Sequence, residues 1–169
     1  DERRFGLKLL SVILGENMSS RLFQILRERH GYCYSVQTNM VTLDDTGAIH
    51  ISAGLDPGKL QKAVKMILKE LESICRKKPG KDELRKAQDY TIGQTLMGLE
   101  STTNQMIWMG ESLLGYGKIL DPAEVEQRLC SVTPEDIQQI ACHCLNRGRL
   151  GVAVVGPLKD SSSLQNWLG

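Results

Sequence analysis

The hydrophobic period of this chain changes at a single residue, Gly31, and no other feature constrains the fold as strongly. Upstream, "NMSSRLFQILRERHG" sets Leu22, Phe23 and Leu26 along one helical stripe, with Asn17 or Ser19 placed to cap it. Downstream, "YCYSVQTNMVTL" turns to the aromatic and β-branched residues of a strand. Gly31 is the expected left-handed terminator between them. Helix and strand therefore meet at a corner, and the chain must layer helices against a sheet.

The remainder builds out both layers. "RRFGLKLLSVILG" spaces Phe5, Leu9, Val12 and Ile13 for a helix, with Gly15 as its natural stop. "DDTG" (44–47) turns the chain into "AIHISAGL", where Ile49, Ile51 and Ala53 alternate with Ala48, His50 and Ser52, so an antiparallel hairpin is expected. The alternation changes phase between Asn39 and Leu43, where a bulge is expected. Asp56 followed by Pro57 opens a helix that carries Ala63, Met66, Ile67, Leu71 and Ile74 to a "RKKPG" loop. A long helix from about Lys81 to Met97 and another through "STTNQMIWMGESLLGYG" come next. Asp121 with Pro122, and Thr133 with Pro134, start two more. "LGVAVVG" (150–156) is expected as a closing central strand.

This pattern predicts an α+β domain, a small and mostly antiparallel sheet with several helices packed on one face. Three strands are few for so many helices. The expectation is that a first strand precedes residue 1, in keeping with an opening "DERRFG" that lacks Met. The folded unit is expected over residues 1–158. Residues 159–169 form a polar, Ser-rich tail that frays, with Trp167 as a tether.

Composition removes several function classes. At 169 residues the chain can bury one core without staples. Its net charge of +1, the absence of a basic stripe and an aromatic content of 5% argue against a nucleic-acid partner. No apolar run reaches the roughly 18 to 20 residues of a membrane span, so no membrane partner is expected. No signal-peptide pattern is present. Five cysteines, an odd number, favour reduced thiols and a cytoplasmic setting, with periplasm or mitochondrial matrix as alternatives.

The three histidines, His30, His50 and His143, make no H-x-x-E-H or other helical metal spacing. Cys142, His143 and Cys144 are consecutive on one helix, so they point in different directions and cannot share a metal. The carboxylate pairs at 44/45, 82/83 and 135/136 fall in turns or first helical turns, where helix dipoles account for them. No metal site and no complete catalytic site is expected in this chain.

The stretch "LRERHGYCYSV" (26–36) holds what chemistry there is. Arg27 lies in the last turn of the helix and Tyr34 in the strand beyond Gly31. Reversal at the glycine can bring a guanidinium and a phenol, both donors, toward one carbonyl or carboxylate oxygen. Alternatively Arg27 is a solvated cation at the helix's negative end and Tyr34 packs on the hairpin. Spacing alone favours the second reading.

A wider match bears on that choice. "ILGENMSSRLFQILRERHGYCYSV" closely resembles a segment of the insulinase/pitrilysin zinc metallopeptidases, in their processing-peptidase-like branch. "GAIHISAGLDPGKLQKAVKMILKEL", "KDELRKAQDYTIGQTLMGLES", "VTPEDIQQIA" and "GVAVVGP" resemble later segments of the same family, so the likeness covers roughly residues 5–157. It implies the zinc-free C-terminal domain of a two-domain clamshell. In that arrangement the N-terminal half carries H-x-x-E-H and the zinc, and the C-terminal half reaches across with an Arg/Tyr pair.

That pair falls on Arg27 and Tyr34, which are thereby implied as substrate-binding residues. The sequence departs from the family pattern at Glu16 and Asn17, where glycines are usual, and at Tyr32 and Cys33, where Leu-Ala is common. The implied partners are an N-terminal catalytic domain, in the same protein or in a partner subunit, and an extended peptide substrate. Without H-x-x-E-H this chain alone is expected to be inactive. Because some relatives have lost their zinc site, a non-catalytic companion subunit, scaffold or peptide-binding protein stands as the alternative.

Overall fold

The computed structural model describes residues 3–43 and 46–157. Helix α1 (Arg4–Ser11) runs without a break into a wide π-helical turn, Val12–Glu16. The next helix starts at Arg21 with no side-chain cap from either candidate, and Asn17 instead fixes the turn that precedes it. Its side-chain oxygen accepts from the Ser19 amide at 2.9 Å and the Ser19 hydroxyl at 2.8 Å. That helix winds as a π-helix over Phe23–Arg29 and ends at Gly31, whose φ of +58° is the left-handed conformation a glycine adopts without penalty. The Gly31 and Tyr32 amides donate back to the Arg27 and Leu26 carbonyls, at 3.1 and 2.8 Å, and satisfy the helix end.

Strand β1 (Cys33–Thr42) then pairs antiparallel with β2 (Gly47–Leu55). Five helices follow: α2 (Leu60–Arg76), α3 (Lys81–Gly98), α4 (Thr102–Tyr116), α5 (Pro122–Ser131) and α6 (Pro134–Cys144). The three predicted cap-plus-proline starts are all present. Asp56 accepts from the Gly58 amide at 2.9 Å and Asp121 from the Ala123 amide at 3.0 Å. Thr133 forms a full capping box with Asp136.

One face of the hairpin is turned inward. Cys33, Val36 and Thr38 are buried there, and half-buried Ile49, Ile51, Ala53 and Leu55 pack on the helical core of Leu9, Leu14, Leu22, Leu26, Ile74 and Ile137. The opposite face, with Ser35, Gln37, Asn39, His50 and Ser52, is exposed. Helices therefore cover one side of a small antiparallel sheet, as the α+β reading expects. Among the described residues, no helix is long and apolar enough to cross a membrane.

Three more local expectations are corrected. Gly15 does not stop its helix, which continues to Glu16. It is glycine because β1 crosses it: a Cβ there would stand 2.1 Å from Thr38 Oγ1 and 3.0 Å from the Thr38 amide nitrogen. The segment at 150–156 forms no strand, and the described sheet has two strands. The run makes no ladder with either described strand, and Val155 is fully exposed. The bulge lies at Tyr34, between Cys33 and Ser35, while pairing from Asn39 to Thr42 is regular. The predicted tail and its Trp167 tether lie outside the described residues.

The Gly15 contact gives a direct test. Gly15→Ala forces backbone or Thr38 to shift inside a buried crossing and is expected to cost about 1–3 kcal/mol, read as a lower urea midpoint at unchanged slope. A midpoint equal to wild type would mean that the two elements are not held at this distance.

Candidate functional site

The corner is built from a helix end, a glycine and a bulge. The Arg27 side chain leaves the helix one turn after Phe23, with its guanidinium carbon 5.0 Å from the centroid of that ring. This cation–π contact holds the side chain out along the surface rather than folded onto the carbonyl end. Beyond Gly31, His30 and Tyr32 stack with centroids 5.1 Å apart, closing the turn on itself. Burial pushes the Cys33 thiol up, and the Arg27 charge partly opposes that.

The bulge decides where Tyr34 points. Counting back from buried Thr38 and Val36 at period two would send Tyr34 into the core. The ladder instead pairs Cys33 with Leu55 and Ser35 with Gly54, leaving Tyr34 as the extra residue. Cys33 takes the inward position and Tyr34 turns to the open face, 74% exposed. Its ring lies across β2 on Gly54, where a Cβ would come within 2.5 Å of Cε2 and Cζ.

Arg27 and Tyr34 thus sit at the same corner, both exposed, each on its own support. No hydrogen bond joins them, and among the described residues neither polar tip is taken up by an intramolecular hydrogen bond. The family resemblance singles out these two but gives neither support. Phe23 was legible as the i−4 neighbour of Arg27, whereas Gly54 becomes visible only once the strand register is known.

Among the described residues, no group of three or more His, Cys, Asp or Glu side chains could hold a metal ion. Donors for zinc are therefore not assembled in this part of the molecule. Cys142 meets a residue the sequence did not pair with it: its thiol donates to the Cys75 carbonyl at 3.1 Å. Burial, and then Cys142, push the Cys75 thiol up to about 11, so it is held protonated rather than poised as a nucleophile.

Residues 1–90 match the family model described as "Peptidase M16 inactive domain". Curated relatives include an uncharacterized zinc protease of Streptomyces coelicolor, 36% identical over 163 residues, a match covering 96% of this chain and 35% of the relative. A Mycobacterium leprae protein of the same description is 34% identical over 167 residues, covering 99% of this chain and 37% of its own length. The chain spans about a third of the length of these relatives. Among solved structures, a peptidase M16 inactive domain from Pseudomonas fluorescens superposes with a TM-score of 0.75 at 18% identity, over 86% of this chain and 35% of that one. A protease from Helicobacter pylori does so with 0.73 at 20% identity, over 86% and 35%. At such identities these structures speak for the fold alone.

Proposed function

The chain belongs to the peptidase M16 inactive-domain family, and on that premise we propose that it is the substrate-binding domain of a zinc-dependent processing-type endopeptidase. The observation that carries this reading is the bulge at Tyr34. It turns a phenol out of the core onto an open sheet face, at the corner whose helix end carries the exposed Arg27. A pair of donors with no intramolecular hydrogen bond, on rigid elements, is suited to donate to an oxygen from outside.

In this reading an extended peptide lies along the hairpin, adding main-chain hydrogen bonds to a free strand edge. Arg27 and Tyr34 donate to one substrate carbonyl. As that carbonyl is attacked, negative charge builds on its oxygen, and both donors bind the charged form more strongly than the neutral one. Among the described residues no set of zinc ligands is assembled, and in this reading zinc is held by another part of the complete protein. The relatives' names supply the words zinc and protease, and the domain alone supplies binding and orientation.

The proposal is tested by reconstitution. The isolated chain, with or without added zinc, is expected to leave a quenched-fluorescence peptide library uncut. The complete polypeptide that carries the domain is expected to cut it. Cleavage by the isolated chain, freed of contaminating protease, would overturn the division of labour. A complete polypeptide that lacks H-x-x-E-H and binds the library without cutting it would favour the non-catalytic companion instead.

A further inference from the structure

We infer that Gly54 is a positioning residue for Tyr34: its bare Cα, working with the bulge, is the seat that fixes where the phenol hydroxyl stands. The inference rests on the reading of Tyr34 as a carbonyl donor and names what makes that donor fit for use.

Gly54 is not glycine for its backbone. Among the described residues the glycines with positive φ are Gly31 and Gly117, so the conformation at Gly54 is one that any residue adopts. Glycine in the middle of a strand is otherwise a poor choice, since it costs conformational entropy and offers no side chain to pack. What excludes a side chain is the tyrosine. A Cβ on Gly54 would lie 2.5 Å from Cε2, 2.5 Å from Cζ and 2.7 Å from the hydroxyl oxygen. Contact is thus with the hydroxyl end of the ring. Any larger residue would lift that end off the strand.

The geometry also explains why such a seat is needed. A tyrosine 74% exposed on an open face would ordinarily sample several rotamers. The bulge sets the direction in which Cβ leaves the backbone, and the floor at Gly54 sets how far the ring can fall. Together they define one place for the oxygen. Misplacement of a donor by about 1 Å can cost on the order of 10²-fold in rate, so a fixed position has a functional consequence.

Two measurements test this. In the 169-residue chain, the Gly54 α-proton resonances are expected upfield of their random-coil positions, shifted by the ring current of Tyr34. The shift should survive Tyr34→Phe and vanish in Tyr34→Ala. This readout does not depend on whether Gly54→Ala folds. Resonances at random-coil positions that ignore Tyr34→Ala would show there is no seat and overturn the inference.

In the complete protease, Gly54→Ala is expected to lower kcat on the order of 10²-fold with KM little changed. In a Tyr34→Phe background the same substitution should cost nothing further, because the hydroxyl it positions is gone. An equal loss in both backgrounds would make Gly54 merely structural and overturn its positioning role alone. Full turnover in Tyr34→Phe would overturn the donor reading, and the positioning role with it, while leaving the resonance result intact.

Discussion

Arg21→Ala is expected to destabilise the domain by about 3 kcal/mol, the lower end of the range for breaking a buried ion pair by removing one partner. Arg21 stands at the entry to the π-helix that carries Arg27. Its guanidinium grips Glu83 of α3 with two bonds, 2.6 Å from Nε and 2.8 Å from Nη2, and Glu70 of α2 with a third at 2.9 Å from Nη1. The Arg21 and Glu70 side chains are largely buried, while Glu83 stays 34% exposed, which is why the lower end applies. Removing the cation leaves two carboxylates facing the hole it occupied. Arg21→Lys should recover only part of the loss, because an ammonium cannot make the two-pronged contact to Glu83. Urea denaturation at neutral pH measures both, and a loss under 1 kcal/mol would place the cluster among ordinary surface pairs.

The same cluster fixes a sign for pH. Burial pushes the Glu83 carboxyl up, but the hydrogen bonds and charge of Arg21 outweigh it and hold the group below its ordinary value of 4.5. A carboxyl depressed in the folded state contributes stability that is fully present above the unfolded value and is lost as pH falls through the folded one. Wild type should therefore shed stability on acidification below about pH 4.5. Arg21→Ala should lack this part of the acid limb, since its Glu83 retains the burial without the partner. Parallel acid limbs in the two proteins would remove Glu83 as the source.

The parts of this fold that could be read from the sequence are those whose causes are local. Asp56, Asp121 and Thr133, each followed by proline, mark helix starts because a cap and a fixed φ act within one turn. Gly31 ends its helix for an equally local reason. Two of the misreadings involve a distant partner. Gly15 looks like a helix stop until β1 is laid across it and Thr38 occupies the space. The run at 150–156 has the local marks of a strand, yet it pairs with neither described strand.

The site divides in the same way. Arg27 and Tyr34 are singled out by the family resemblance, since spacing alone favours a bland reading, and Phe23 could be picked out as the i−4 neighbour of Arg27. Gly54, twenty positions from Tyr34 in sequence, could not, because only the bulged register brings it under the ring. Nor could the grip of Arg21 on side chains 49 and 62 residues away. The supports beneath these side chains depend on register and on distant partners, which patterning does not supply.

The kinetic prediction follows from that division. In the complete protease, Arg27→Ala and Tyr34→Phe are each expected to lower kcat on the order of 10²-fold or more, as loss of an oxyanion donor does. Neither should move the urea midpoint appreciably, since both side chains are exposed and neither polar tip has an intramolecular hydrogen bond to lose. Arg27→Ala gives up only the contact with the Phe23 ring, worth about 0.5–1 kcal/mol at an exposed site. It should also raise the Cys33 thiol further, because the charge that partly opposes burial there is removed. Tyr34→Phe keeps the ring on Gly54 and deletes one oxygen, so it isolates the donor from its packing. If both donors serve a single oxygen, the double variant should lose less than the product of the two separate losses, because the remaining donor is no longer held to the same geometry. A stable fold with normal turnover in both single variants would show that the corner is only a corner.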